Sequence, residues 1–247
     1  MQIWNKGMVR LANGTLAYMV KAHRASGDMN TSTGNVLLMC AMMFAYKEHC
    51  GVNFALINDV DDCVCIMERK DRRRFEADVQ DFFDRLGFIM KVEEPVEMLE
   101  HIEFCQSRPV QVTEGVWRMV RDPRTCLVKD SCTLKHVAHA KDWDRYRDAK
   151  SQCGLALAGD MPIFNEFYSC LGRGVITRGK REVESGMEYL AVGMDLKYKE
   201  PTTISRVSFF NAFGIDADTQ IALEKFFRSR TPEYRGISQP GVNYSLV

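Results

Sequence analysis

The chain has 247 residues, 46% of them hydrophobic, 27% charged and 10% aromatic, an ordinary globular composition long enough for one large domain or two smaller ones. With 33 basic and 33 acidic side chains the formal net charge is zero, so any nucleic-acid contact must come from local basic patches rather than a global field. No apolar run is long enough to span a bilayer, and nine cysteines without a secretory leader at Met1 point to free thiols in a reducing compartment.

Met1-Gln2-Ile3-Trp4-Asn5 has neither a helix cap nor leader character, so the chain is expected to continue a longer protein. Met8 to Leu11, Asn13-Gly14 and Thr15 to Val20 then form a hairpin signature, Asn-Gly being the strongest short hairpin turn. Residues 24–31 are a small, polar loop. A helix is expected from about Thr31, and its stretch Val36 to Phe44 is apolar almost all round, which predicts a buried core helix.

Phe54-Ala55-Leu56-Ile57 and Cys63-Val64-Cys65-Ile66-Met67 flank the acidic centre Asn58-Asp59-Val60-Asp61-Asp62. Two apolar runs around a tight polar centre predict an antiparallel hairpin tipped with carboxylates. Adjacent like charges repel unless a cation neutralises them, and magnesium favours carboxylate oxygen. On these residues alone, a cation site and a plain Asp-rich turn read equally well. A calcium loop fits poorly: counted from Asp59, the sixth position is Val64 rather than Gly and the twelfth is Lys70 rather than Glu.

Glu68 to Arg74 is a mixed-charge run read as a solvated helix start. Phe75 to Leu86 predicts one amphipathic helix with Phe75, Val79, Phe82, Phe83 and Leu86 on its face, capped by Gly87. Phe88 to Val92 and Ile102 to Gln106 read as short strands, the second stopped by Pro109. The expected class is α+β, built on a mostly antiparallel sheet. Beyond about Gly115 the chain turns helical: Lys129–Ala149, Gln152–Leu171 interrupted at Asp160-Met161-Pro162, Ile204–Phe213 and Asp218–Phe227, with an irregular tail from Thr231. Cys126, Cys132, His136 and His139 have no recognised zinc spacing. Cys63 and Cys65 are expected on opposite faces of their strand.

Ser26-Gly27-x₃-Thr31-x₃-Asn35, followed by the Asp61-Asp62 hairpin, resembles motifs B and C of viral RNA-dependent RNA polymerases. Arg24-x-Ser26-Gly27-Asp28-Met29-Asn30-Thr31 with Asn58-Asp59-x-Asp61-Asp62-Cys63-Val64 narrows the resemblance to the tombusvirus family and its umbravirus-like relatives. Gly87-Phe88-x-Met90-Lys91-Val92-Glu93-Glu94-Pro95-Val96 and Glu103-Phe104-Cys105-Gln106 resemble motifs D and E. Similarity continues through Val120-Arg121-Asp122-Pro123, Lys129-Asp130, Cys153 to Leu157 and Arg206 to Gly214, in order over nearly the whole chain.

The resemblance implies a right-hand polymerase: a partial palm over 1–113, a helical thumb over 114–230 and an irregular tail over 231–247. It implies template-directed nucleotidyl transfer with two divalent ions, Mg²⁺ or Mn²⁺. Asp61 would be the main metal ligand and Asp62 its support. Ser26 and Gly27 would follow template and nucleotide, while Asn35, supported by Thr31, would read the ribose 2′-hydroxyl. Lys91 would act as general acid to pyrophosphate; without the resemblance it reads as a surface lysine. Phe104, Cys105 and Gln106 would form the primer grip. The implied partners are RNA template, primer or product strand, ribonucleoside triphosphates and a viral auxiliary replication protein. The implied location is a membrane-associated replication complex in the host cytoplasm, anchored by regions outside this chain.

Two departures qualify the match. Val60 stands where the family pattern has Gly, which accepts a tight turn without a β-carbon clash. The Asp-x₄-Asp strand of motif A and the basic finger motifs are missing, and residues 1–23 contain no Asp or Glu to replace them. The chain alone is therefore expected to hold half a metal site and to be inactive. One rival is a non-catalytic RNA-binding or replicase-assembly module, which neutral charge mildly disfavours. A reverse transcriptase is a second rival, disfavoured by the Ser-Gly-x₃-Thr-x₃-Asn series.

Overall fold

A computed structural model describes residues 4–11, 13–21, 29–132, 139–175, 195 and 197–233. The chain divides into two compact units, residues 1–95 and 96–247. Helices and strands are mixed in it, as an α+β chain requires. Its strands do not form one antiparallel sheet: among the described residues they make three separate two-stranded hairpins.

In the first unit, β1 (Trp4–Leu11) pairs with β2 (Gly14–Lys21) in the expected hairpin, but Gly14 pairs with Leu11 as the first residue of β2 rather than standing in the turn. Helix α1 (Thr31–Cys50) follows and ends on Gly51, whose φ of 64° suits a residue without a β-carbon. Strands β3 (Phe54–Asp59) and β4 (Asp62–Met67) form the acidic hairpin in the expected place. The chain then passes through a 3₁₀ turn at Arg69–Asp71 into α2 (Arg72–Glu76) and α3 (Val79–Arg85).

The unit's core is Met42, Met43 and Tyr46 of α1 with Val52, Phe54, Phe75, Val79 and Phe83. Helix α1 is not buried all round. Leu37, Leu38 and Phe44 are 64%, 42% and 66% exposed, because the hairpin and α3 cover one side of the helix among the described residues. The helix expected over 75–86 is two helices, broken at Ala77-Asp78. There the Asp78 carboxylate meets His49 and, 3.4 Å away, Arg85. Phe75, Val79 and Phe83 are buried as the periodicity predicts, but Leu86 is exposed. Residues 88–92 form no strand. Cys63 and Cys65 share a face, since side chains two apart on a strand point the same way, and their thiols are hydrogen-bonded. That bond, with burial, raises the Cys65 pKa.

In the second unit, a 3₁₀ turn at Leu99–His101 leads to β5 (Ser107–Thr113) and β6 (Val116–Arg121). Pro109 sits inside β5, paired with Met119, rather than ending a strand. A two-stranded hairpin leaves each strand an open edge, where a missing N–H costs nothing. Helices α4 (Pro123–Lys129), α5 (Ala140–Ala158), α6 (Phe164–Gly172), α7 (Thr203–Phe213) and α8 (Ala217–Arg228) complete it. Helix α5 runs unbroken through residues 149–152, where two separate helices were expected.

Its core joins Val110 and Val120 of the hairpin to Met161, Phe164, Phe167, Tyr168 and Phe209. Strand β5 is tied to α7 at several points. The Gln111 N–H donates to Ser208 Oγ at 2.8 Å, Ser208 donates to buried Glu100 at 3.0 Å, and Thr202 donates to the Val112 carbonyl at 2.8 Å. Arg108 and Arg124 donate to the carbonyls of Ala212 and Phe213, neutralising the last turn of α7.

Pro162-Ile163-Phe164 is a γ-turn of the rare positive-φ form: Ile163 has φ 67° and ψ −49°, and the Phe164 N–H donates to the Pro162 carbonyl at 2.7 Å. Helices α5 and α6 meet where Gly154 lies under the Tyr168 ring, whose hydroxyl donates to Asp130 at 2.7 Å. Burial alone would raise the Asp130 pKa; the Tyr168 hydroxyl, Arg121 and Lys150 outweigh it and hold the carboxyl below its usual range.

Candidate active site

The candidate centre is the tip of β3–β4. Asp59 faces Asp62 across the last pair of the ladder, leaving Val60 and Asp61 as a two-residue turn. Val60 has φ 63°, whereas Asp61 is not among the positive-φ residues, the signature of a type II′ turn. That turn wants glycine first, and a β-branched residue there is strained by about 1–3 kcal/mol. We expect Val60→Gly to stabilise the first unit by about 1 kcal/mol after the entropy cost of glycine, read as a higher urea midpoint. An unchanged or lower midpoint would show that the turn carries no strain.

Alternation along the hairpin sorts its side chains. Phe54, Leu56, Cys65 and Met67 face the core on one side. The other side carries Ile57 and Ile66, each about half exposed, with Asp59 and Asp62 beyond them at the tip. Asp59 and Asp62 stand directly opposite one another, a placement of like charges that destabilises a sheet. Asp61 is exposed on the turn itself. These are hard oxygen donors of the kind magnesium takes. Their chemistry fits such an ion, but their number does not complete a site: among the described residues no three His, Cys, Asp or Glu side chains converge to hold a metal.

A second group of expected residues lies on α1. Three residues link α1 to β3, and Lys47 donates to the Phe54 carbonyl at 3.2 Å. Thr31 and Asn35 stand in the first turns of α1, four residues apart and so on one stripe of the helix. Ser26 and Gly27 lie outside the described residues.

Asn58 is a residue beside the tip that sequence reasoning passed over. Both polar atoms of its side-chain amide are buried and make no hydrogen bond among the described residues. A buried amide without partners is costly. Its one sequence signal was an Asn in the place of an apolar residue on the inward face of β3.

The remaining expected residues are on other segments of the chain. Lys91 is 86% exposed, with its Nζ 3.7 Å from Glu93. Phe104, Cys105 and Gln106 are not a strand. Phe104 and Ser107 exchange backbone hydrogen bonds of 2.9 and 3.0 Å, and Cys105 and Gln106 both have positive φ, 52° and 58°. This is a type I′ turn made without its usual Asn-Gly pair, so it holds strained backbone at an exposed corner. Of the zinc-like set, Cys126 is buried with its thiol pushed up to about 11 by burial, Cys132 and His139 are exposed, and His136 lies outside the described residues.

Comparison with known proteins bears on what this tip does. The profile of the viral RNA dependent RNA polymerase family matches residues 1–235. An RNA-directed RNA polymerase of Oat chlorotic stunt virus is 40% identical over 243 residues, covering 92% of this chain and 32% of the relative. That of Tomato bushy stunt virus (strain Cherry) is 38% identical over 234 residues, covering 90% and 27%. A putative RNA-directed RNA polymerase of Barley yellow dwarf virus (isolate MAV) is 38% identical over 240 residues, covering 93% and 27%. The chain belongs to the viral RNA dependent RNA polymerase family. It spans about a third or less of the length of these relatives.

Proposed function

We propose that this chain is the C-terminal palm-and-thumb part of an RNA-directed RNA polymerase of a plus-strand RNA virus, with a partial palm up to about residue 113 and a helical thumb after it. The observation that carries the proposal is the tight hairpin that holds Asp61 and Asp62 at its tip. Two divalent ions, Mg²⁺ or Mn²⁺, supply the activation of the primer 3′-hydroxyl and the neutralisation of the leaving pyrophosphate. Asp61 and Asp62 offer the oxygen ligands of this hairpin, and the rest of the site comes from chain beyond these residues, such as a motif A aspartate. Asn35 and Thr31 orient the ribose 2′-hydroxyl of the incoming nucleotide, beside the Ser26-Gly27 loop. The exposed Lys91 is free to swing toward the leaving group and donate a proton. The turn at Phe104-Cys105-Gln106 grips the primer strand. The partners are template and product RNA, ribonucleoside triphosphates and an auxiliary replication protein. The place is a membrane-associated replication complex in the host cytoplasm. The described residues contain no helix long and apolar enough to cross a membrane, so the proposed anchor lies elsewhere.

The test is primer extension by this chain joined to the sequence encoded immediately upstream of it. Asp61→Ala should lower synthesis by about a thousandfold, on the order of 4 kcal/mol of transition-state stabilisation. The 247-residue chain by itself should be silent. Synthesis that survives Asp61→Ala would sink the assignment of the tip. The incomplete carboxylate set favours a second reading, a non-catalytic RNA-binding or assembly module. Silence of the joined protein, with and without Val60→Gly, would select it.

A further inference from the structure

Cys63 and Cys65 stand two residues apart on β4, opposite Asn58 and Leu56 of β3. Strand alternation puts both sulfurs on one face of the hairpin, and the two thiols are hydrogen-bonded to each other. Both are free and half-buried, whereas Cys105, Cys132 and Cys153 are exposed. Two steps along a strand separate Cα atoms by about 6.6 Å. Disulfides span about 4.4–6.8 Å between Cα atoms, so a bond between these two requires little backbone movement. It would lie at the long end of that span, where a disulfide is readily reduced again.

We propose that Cys63 and Cys65 are a reversible oxidation site, a dithiol that hydrogen peroxide converts to a disulfide. The proposal stands apart from the reading of the chain as an RNA-copying enzyme. Half-burial selects the class of oxidant, since a peroxide is little larger than water and enters where a bulky disulfide reagent does not. In the first step one sulfur attacks a peroxide oxygen and the O–O bond breaks. The thiol proton joins the departing hydroxide as water, and a sulfenic acid remains. In the second step the neighbouring sulfur attacks the sulfenic sulfur, the S–O bond breaks and a second water leaves with the second thiol proton. The two sulfurs together lose two electrons, and the peroxide gains them. A thiol reductant reverses the change by exchange. Cys63 follows Asp62 directly, so the ring that closes is built from the strand that holds the acidic tip.

The test treats the reduced 247-residue chain with hydrogen peroxide, blocks remaining thiols with N-ethylmaleimide and digests with trypsin. Glu48 to Arg69 is one tryptic peptide, and its three thiols are Cys50, Cys63 and Cys65. Mass spectrometry should find three maleimides on it before peroxide and one afterwards, on Cys50, with two hydrogens missing between Cys63 and Cys65. Dithiothreitol added before blocking should restore all three. Cys50→Ser should leave the bond intact. Cys63→Ser and Cys65→Ser should each abolish it and leave the other thiol as a sulfenic acid that dimedone traps. Three maleimides retained at a peroxide level that oxidises the exposed Cys105 and Cys153 would overturn the proposal. So would a bond that includes Cys50, or oxidation of Cys63 or Cys65 that dithiothreitol does not reverse.

Discussion

Replacing Glu224 by Ala should destabilise the second unit by about 3 kcal/mol, among the largest effects of any single substitution there. Glu224 is nearly buried and receives both arms of the Arg206 guanidinium at 2.9 Å, while the Ile163 N–H donates to the same carboxylate at 3.1 Å. Removing one member of a buried, bidentate ion pair costs about 3–5 kcal/mol, chiefly because the other charge stays behind. The lower end applies here because Arg206 keeps Gln220 at 3.4 Å and some contact with water. The carboxylate has a second duty. It holds the backbone of Ile163, a β-branched residue at φ 67°, and that conformation persists only because its surroundings over-determine it. Glu224→Gln keeps an acceptor for the N–H and should cost about half as much. Urea denaturation of both variants checks this. Equal losses would mean that only the charge counts, and no loss in either would remove Glu224 from the account.

Gly154→Ala should be comparably severe, although it adds one methyl group. A β-carbon on Gly154 would stand 2.1 Å from Cδ1 of Tyr168 and 2.2 Å from Cγ, far inside contact distance. The Tyr168 ring is buried, and its hydroxyl is fixed to Asp130, so it has no free direction in which to retreat. Overpacking of this kind costs about 1–3 kcal/mol, and a displaced Tyr168 also leaves Asp130 without a hydrogen bond worth about 1 kcal/mol or more. The expected total is about 3 kcal/mol. Tyr168→Phe in the same background separates the two parts: it should be less harmful after Gly154→Ala than before it. Additive losses would show that ring and hydroxyl are not coupled through this crossing.

The sequence was most legible where the signal is local. The acidic hairpin could be read because alternation and turn chemistry lie within fourteen residues, and the structure pairs those residues as expected. Helices α7 and α8 were bounded closely because Thr202 and Asp216 cap their starts and Gly214 closes the first of them. What was missed depends on contacts distant in sequence. The break between α2 and α3 falls at Asp78, which is engaged by His49. The sequence reads as two helices parted at residues 150–151, whereas α5 runs through them and is packed by α6, with Gly154 admitting Tyr168. Pro109 looked like a stop because nothing nearby announces an open strand edge. Ile163 is the residue type least suited to positive φ, so no pattern could have foretold its turn. Within the candidate site the carboxylates were legible, while the buried amide of Asn58 was not. Burial of one face follows from how α1 packs, and composition does not record that.

The stitching of β5 to α7 has a consequence for how the chain is made. Gln111 and Ser208 are 97 residues apart, and Glu100 and Ser208 are 108 apart. A ribosome adding roughly 5–20 residues per second leaves β5 waiting about 5–20 s for the helix that completes it. Closing so long a loop delays the nucleus as well, since its entropy must be spent before the contacts form. During that interval the hairpin stands with Val110 and Val120 uncovered, so the second unit is most open to misassociation while its own C-terminal third is still being synthesised.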